Sequence, residues 1–284
     1  MIRTDAVDAV AAPRNREWNA DDTILYALGV GAGGDELDLV TENSDGITLK
    51  ALPMLSAVLG GGAGSLRERL GEFDAAMVVH GTQLVELHSP LSVAGAADIV
   101  GRVHAIADKG SGALIEIEST ATDSASGEPL FTSTTGLFVR GEGGFGDAPG
   151  PAPRGLPALD TDGREPDFVL TERTSTDQAL LYRLSGDRNR LHSDPSFARR
   201  AGFDRPILHG LCTWGFAGRM LGREVLQGRF EQCARFGGRF RSPVMPGDEL
   251  IVEGWRVSDL DVAFRVRVGD RVVIDTGILS ERPS

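Results

Sequence analysis

Asp187, Asn189 and His192 fall within six consecutive residues of the run Tyr182 to His192 (YRLSGDRNRLH), and Gly210 follows 18 positions after His192, at the head of a helix-like stretch. A carboxylate and an imidazole at that spacing could both reach one water molecule, with the Asn189 amide between them to orient it. A helix start offers free backbone N–H groups to an oxygen that becomes negative. Those are the parts for adding water to a double bond conjugated to a carbonyl. Ser185-Gly186-Asp187 alone is an ordinary turn, and it is His192 downstream that gives the carboxylate a chemical partner. His209 reads as a packing residue at the helix start. Asp187-x-Asn189 also resembles the opening of a calcium loop, but Leu191 and His192 stand where such a loop needs an oxygen ligand and a glycine.

The elements that must carry these residues are legible around them. Leu208, Leu211, Phe216, Met220, Leu221 and Val225 mark one apolar helix face, with Arg219 and Arg223 expected outside it. Period-two alternation marks strands in Leu114 to Glu118 and in Val262 to Val268, the latter turned by Gly269-Asp270 into Arg271 to Ile274. A second turn, Ala125 to Glu128, joins the corresponding N-terminal pair. Between Gly141 and Pro166 the chain is dense in Gly and Pro without periodicity, which reads as a linker.

The same order of landmarks recurs on both sides of that linker. Tyr26, the Leu52 to Ser56 helix start and Ser89-Pro90 answer Tyr182, Ile207 to Leu211 and Ser242-Pro243. Such self-similarity predicts two copies of one fold, each a helix followed by antiparallel strands. The expected divisions are 1–140, a linker at 141–166, and 167–284. Gly29-x-Gly31-x-x-Gly34 matches a dinucleotide fingerprint, but little helical continuation follows it, so no nucleotide role is expected. His80, His88 and His104 show no partner in the sequence and are read as surface or core residues.

Composition narrows the function classes. The 284 residues are 41% hydrophobic and 25% charged, as in a globular protein. The net charge of −12 argues against nucleic acid and against an anionic membrane surface. No apolar run approaches a membrane span, and the N-terminal residues resemble neither a signal peptide nor a basic targeting segment; the C-terminal Glu281 to Ser284 matches no peroxisomal address. A cytoplasmic location is expected. Two cysteines, Cys212 and Cys233, are too few for a disulfide framework or a structural zinc site. From Tyr182 to Arg241 there are 12 Arg and no Lys against 5 acidic residues. That local positive balance suits phosphate groups, and Arg239 and Arg241, just before Ser242-Pro243, are the leading contacts.

The chain resembles the MaoC-like, (R)-specific 2-enoyl-CoA hydratase (hydratase 2) family in its two-domain, double hot-dog form. In the C-terminal half the resemblance is carried by Tyr182 to His192, Pro195, Phe197-Ala198 and Gly202 to Thr213 (GFDRPILHGLCT). In the N-terminal half it is carried by Tyr26 to Gly33 (YALGVGAG), His80-Gly81 and Gly143 to Gly146 (GGFG), so it spans nearly the whole chain. It departs at Arg190, where the family usually has Pro, and the loop is expected to be less rigid for it.

The resemblance implies an α+β fold of two tandem repeats, each a central helix wrapped by a curved antiparallel sheet. It implies a trans-2-enoyl-CoA lying between the domains, with one water held by Asp187 and His192 adding to give the (R)-3-hydroxyacyl-CoA. Asn189 would support the pair, and the Gly210 amide would donate to the thioester oxygen; which of Asp187 and His192 is the base stays open. No metal and no cofactor is implied, coenzyme A being part of the substrate, and the expected partners are an acyl-CoA thioester and a second copy of the chain in a homodimer. The N-terminal half lacks any counterpart of the Asp-x-Asn-x-x-His loop and is implied to house the acyl tail, with glycines such as Gly61 and Gly64 leaving room. Two other functions remain open at this point: dehydration of (R)-3-hydroxyacyl groups on a carrier protein, and non-catalytic acyl-CoA binding.

Overall fold

The computed structural model describes residues 1–61, 66–74, 77–156, 161 and 163–283. Ten strands form one sheet that reads the same outward from its centre in both directions. On the N-terminal side the order is β2 (Val78–Leu87), β5 (Pro129–Arg140), β4 (Gly112–Asp123), β3 (Gly95–Asp108) and β1 (Arg14–Trp18). On the C-terminal side it is β7 (Cys233–Phe240), β10 (Arg271–Glu281), β9 (Asp261–Val268), β8 (Glu249–Arg256) and β6 (Phe168–Arg173). All pairings are antiparallel, and β2 joins β7 from Thr82 opposite Arg239 to Glu86 opposite Arg235. The duplication expected from the sequence is thus an identical strand order in each half, and the architecture is the double hot-dog. The turn at Gly269-Asp270 falls where alternation breaks, with Gly269 at φ +56°.

The halves differ in their helices. The C-terminal half carries α7 (Gly210–Glu224), 15 residues long, closed beyond Val225 by Gln227 and Gly228 at positive φ. At the matching place, among the described residues, the N-terminal half has α3 (Leu55–Gly60), six residues that end in the glycine run after Leu59, and the four-residue α4 (Leu66–Arg69). Glycine is the weakest ordinary helix former, so that run stops the helix early. Side chains from both halves, Tyr26, Phe131, Trp214 and Phe236 among them, share one core. A Cβ at Gly218 would collide with Met54 and one at Gly215 with Val30, so the N-terminal half approaches α7 along a glycine face.

Arg219 corrects an expectation. It lies buried, not outside the helix's apolar face, because protein covers α7 on that side too. Its guanidinium pairs with Glu36 and Glu172, while Arg223 pairs with Glu36 at 2.7 Å and with Asp38. Charges leave water only where they are paired, so these contacts tie the Glu36–Asp38 segment of one half to the helix of the other. The described part of the expected linker, 141–156, 161 and 163–166, has no strand or helix, and 141–156 is pinned to the N-terminal half by Asp108, which accepts from Gly144 and Gly146, and by Arg154 on Glu116 and Glu118. Residues 157–160 and 162 of that stretch lie outside the described residues. Among the described residues no helix is long and apolar enough to cross a membrane.

Candidate active site

The loop bearing the dyad is set by its own polar side chains. After α5 (Gln178–Tyr182) and a short 3-10 turn, Gly186 takes φ +132°, a conformation that side-chain-bearing residues rarely adopt, and so turns the chain to present Asp187. Asp187 Oδ1 accepts from the Asn189 N–H at 3.0 Å, and Asn189 Oδ1 accepts from the Leu191 N–H at 3.0 Å, capping the turn that carries His192. Arg190, where the resemblance leads one to expect Pro, pairs with Asp194, whose other oxygen caps α6 (Pro195–Arg200). An ion pair thus restrains the loop at the position where a ring would have done so.

His192 is held in one tautomer. Its Nδ1–H donates to the Ile207 carbonyl at 2.9 Å, so in the neutral ring Nε2 carries the free lone pair. His209 stacks on it with ring centroids 3.7 Å apart, and its Nε2 donates to the Asp187 carbonyl at 3.2 Å. Tyr182 packs against His209 in turn, at 4.9 Å between centroids. Burial pushes His192 below the ordinary histidine range, against the opposing pull of the Ile207 carbonyl and the Asp187 charge. Burial and the neighbouring His192 push His209 further down. Both rings are therefore neutral near pH 7. His209 keeps the structural part expected of it, as the stacked support of His192 and an anchor for the Asp187 backbone.

One ligand atom each from Asp187, His192 and His209 lies within 4.8 Å of the others. Stacked imidazoles, however, direct their in-plane lone pairs side by side, and one nitrogen of each ring is occupied by a backbone carbonyl. The arrangement suits a proton acceptor better than a chelate.

Gly210 is the first residue of α7, so its N–H has no acceptor within the helix. A Cβ there would lie 3.2 Å from the Phe240 ring, which accounts for the glycine by close approach. Two cavities meet at this place. The larger, about 630 Å³, takes in Asn189, His192, Gly210 and Phe240, with Arg67, Arg140 and Arg241 also on its wall. The smaller, about 440 Å³, runs along α3 past Ala57, Val58, Gly60 and Gly61 to Arg14 and Arg16. His80, Leu137, Asp187 and Leu211 belong to both and form the neck. Asp187, Asn189, His192 and Gly210 are thus brought together at one wall.

Arg239 and Arg241 divide. Arg241 lines the larger cavity and lies 3.4 Å from Asp275, whereas Arg239 is held by Asp275 through two hydrogen bonds of 2.7 and 2.9 Å and does not line it. Gly61 lines the tail-side cavity, but a Cβ there would meet the Ala57 carbonyl at 2.8 Å, so the space beside it is not open to a side chain. Gly64 lies outside the described residues. The Gly29 to Gly34 glycines follow α1 (Ala20–Gly29) at its end, and against expectation a helix does come after them, α2 (Leu37–Val40), though its four residues are a single turn.

Sequence reasoning missed His80. Gln83 donates through Nε2 to Ser133 Oγ at 2.9 Å, so its Oε1 accepts from Thr135 Oγ1 at 3.0 Å and from His80 Nε2 at 3.1 Å. Burial lowers His80 to about 4, and its ring meets Phe240 edge-on at 4.9 Å. His88 and His104 also have partners, Thr132 Oγ1 at 2.9 Å and Glu116 at 3.7 Å. The contacts of His88 and His104, and that of His80 with Phe240, cross strands, so no spacing along the chain could announce them.

Residues 17–141 match the MFE-2 hydratase 2 N-terminal domain and residues 158–277 the MaoC like domain. The chain is 42% identical to 3-hydroxyacyl-thioester dehydratase Y of Mycobacterium tuberculosis over 97% of each chain. It is 38% identical to the peroxisomal enoyl-CoA hydratase 2 of Arabidopsis thaliana, covering 95% of this chain and 92% of that one. The solved MaoC-like dehydratase from Phytophthora capsici superposes with a TM-score of 0.88 at 30% identity, covering 100% of this chain and 99% of the other.

Proposed function

This chain belongs to the MaoC-like, hydratase 2 family, and from that membership we infer that it is a hydro-lyase that converts trans-2-enoyl-CoA to (R)-3-hydroxyacyl-CoA. The observation that carries the reading is the fixed tautomer of His192, which leaves Nε2 with its lone pair on a ring that lines the larger cavity together with Asp187. In the reaction we propose, His192 Nε2 takes a proton from a water held by Asp187, and the water oxygen bonds to C3. Electrons move through C2 to the thioester oxygen, where the Gly210 N–H and the helix start favour the growing charge. A proton from the dyad then reaches C2, completing the addition. These groups serve every step, and neither a metal nor a redox cofactor is called for; coenzyme A arrives as part of the substrate.

The larger cavity suits the coenzyme, with Arg67, Arg140 and Arg241 to meet its phosphates, and the smaller suits the acyl tail. Arg67 and Arg140 come from the N-terminal half, outside the arginine-rich segment that drew attention in the sequence. Breakdown of acyl chains in the cytoplasm by a homodimer is the biological setting we propose. The same geometry runs in reverse as a dehydratase, a direction favoured by the name of the M. tuberculosis relative.

The test is loss of enoyl-CoA absorbance with crotonyl-CoA and longer substrates, with the stereochemistry of the product determined. The (R) product is expected; an (S) product, or no hydration of any enoyl-CoA, would overturn the reading.

A further inference from the structure

β1 is an edge strand that carries two exposed arginines on the sheet face through which Trp18 enters the core. Arg14 stands opposite Ile99 and Arg16 opposite Ala97, both fully buried, so the two arginines and Trp18 face the same side of the sheet as the core. Alternation would put apolar residues there, and Trp18 complies. Both arginines line the far end of the smaller cavity. Among the described residues neither guanidinium meets a carboxylate: Arg14 donates to the carbonyls of Leu59 and Gly61 at the end of α3, and the Arg16 side chain makes no hydrogen bond. Burial, with the charge of Arg16 beside it, lowers Arg14 below the usual guanidinium value. The cavity between them and the dyad is also more polar than a hydrocarbon slot, with Gln83, Ser119 and Thr135 on its wall and the Tyr182 and Ser185 hydroxyls buried there without a partner.

We propose that Arg14 and Arg16 form an anion subsite for the far end of the acyl tail, so that the enzyme takes enoyl thioesters whose tail ends in a carboxylate. A hydrocarbon end placed against two like charges would strip water from them with nothing in return. A carboxylate there relieves their repulsion and accepts from guanidinium forks of matching shape. The distance is short: Val58 packs beside Gly186 at the neck, and Arg14 holds the carbonyl of Gly61, about one helical turn further on. The inference rests on the hydratase reading and on the smaller cavity being the tail cavity.

The experiment compares kcat/KM for pairs of enoyl-CoA substrates of equal length, one ending in methyl and one in carboxylate, with crotonyl-CoA alongside. Arg16→Gln is the main variant, because the Arg16 side chain makes no structural hydrogen bond; Arg14→Gln, which also loses the contact to α3, is the second. The wild-type enzyme is expected to favour the carboxylate end by about tenfold or more, and Arg16→Gln to lose about tenfold of that ratio, the size of one charge-assisted hydrogen bond. Wild-type preference for the methyl end overturns the proposal. An equal loss with crotonyl-CoA, whose tail is too short to arrive, assigns the pair to coenzyme phosphates and also overturns it. So does an unchanged ratio with self-association of the variant, since inward charges on an edge strand can serve only to prevent strand pairing. Failure to hydrate any enoyl-CoA would instead remove the hydratase reading beneath it.

Discussion

Where the C-terminal half lays the 15-residue α7 against its strands, the N-terminal half lays the six-residue α3, and the space beside Ala57 and Gly60 is a cavity of about 440 Å³. The strands are the same in order on both sides. The comparison teaches that a curved sheet needs its helix for only one of two purposes. In the proposed reaction a full helix would supply a start for the oxyanion and a wall for Asp187 and His192, and a shortened one would supply room.

The joint between the halves is where the comparison breaks with the largest effect. Arg219→Ala leaves Glu172 without its cation and Glu36 with Arg223 alone, and a loss of about 3–5 kcal/mol is expected in urea unfolding. A loss below about 1 kcal/mol would mean that water reaches the pair and that α7 is not the tie between the halves.

The second prediction concerns chemistry that only one half holds. His192→Ala and Asp187→Asn should each lower kcat by at least about two orders of magnitude with the fold retained, as is usual for general acid–base groups. Asp35→Asn, in the glycine-rich stretch that follows Tyr26 as the Asp187 loop follows Tyr182, should leave turnover near that of the wild type. Rapid turnover by either folded dyad variant, or a comparable fall from Asp35→Asn, would erase the distinction.

Acid separates the halves less sharply. His192 acts as a base only when neutral, so kcat/KM should fall below an apparent pKa under 6.5, approaching tenfold per pH unit at the acid end. Stability should move in the same direction. His80 is lowered to about 4, so between 6.5 and about 4 the unfolded chain binds protons that the folded one refuses; the stability present above 6.5 is lost as pH falls through that window. A His80→Asn variant whose melting temperature varies with pH as steeply as wild type would show that the N-terminal half takes no part.

The smallest effect tests the room itself. Val58→Phe should penalise long enoyl-CoA substrates relative to crotonyl-CoA by about 0.8 kcal/mol for each methylene excluded. An equal fall for both lengths would make α3 a support of the reaction centre and not the wall of a tail cavity.

What was legible in the sequence is what the chain does locally. Val262 to Arg271 announces a hairpin because alternation and a glycine turn act over neighbouring residues, and the dyad is readable because Asp187 and Asn189 build their own turn. His80 was not, because it enters the site only once β2 has found β5 and β7. Arg219 was misplaced because helical periodicity tells which residues share a face but not what covers the opposite one. At Gly61 composition suggested empty space, whereas the local backbone fills it with the Ala57 carbonyl.

The pairing of β2 with β7 also bears on how the chain is made. Synthesis delivers the strands of the N-terminal half first, and the edge of β2 from Thr82 to Glu86 then has no β7 beside it until the residues from Arg235, opposite Glu86, to Arg239, opposite Thr82, have been added. A bare edge of that length attracts other nascent chains. Closing the seam requires a contact of high sequence separation, a slow step in folding. Shielding of β2 during translation is thus a demand that the finished sheet, with that edge sealed at its centre, no longer displays.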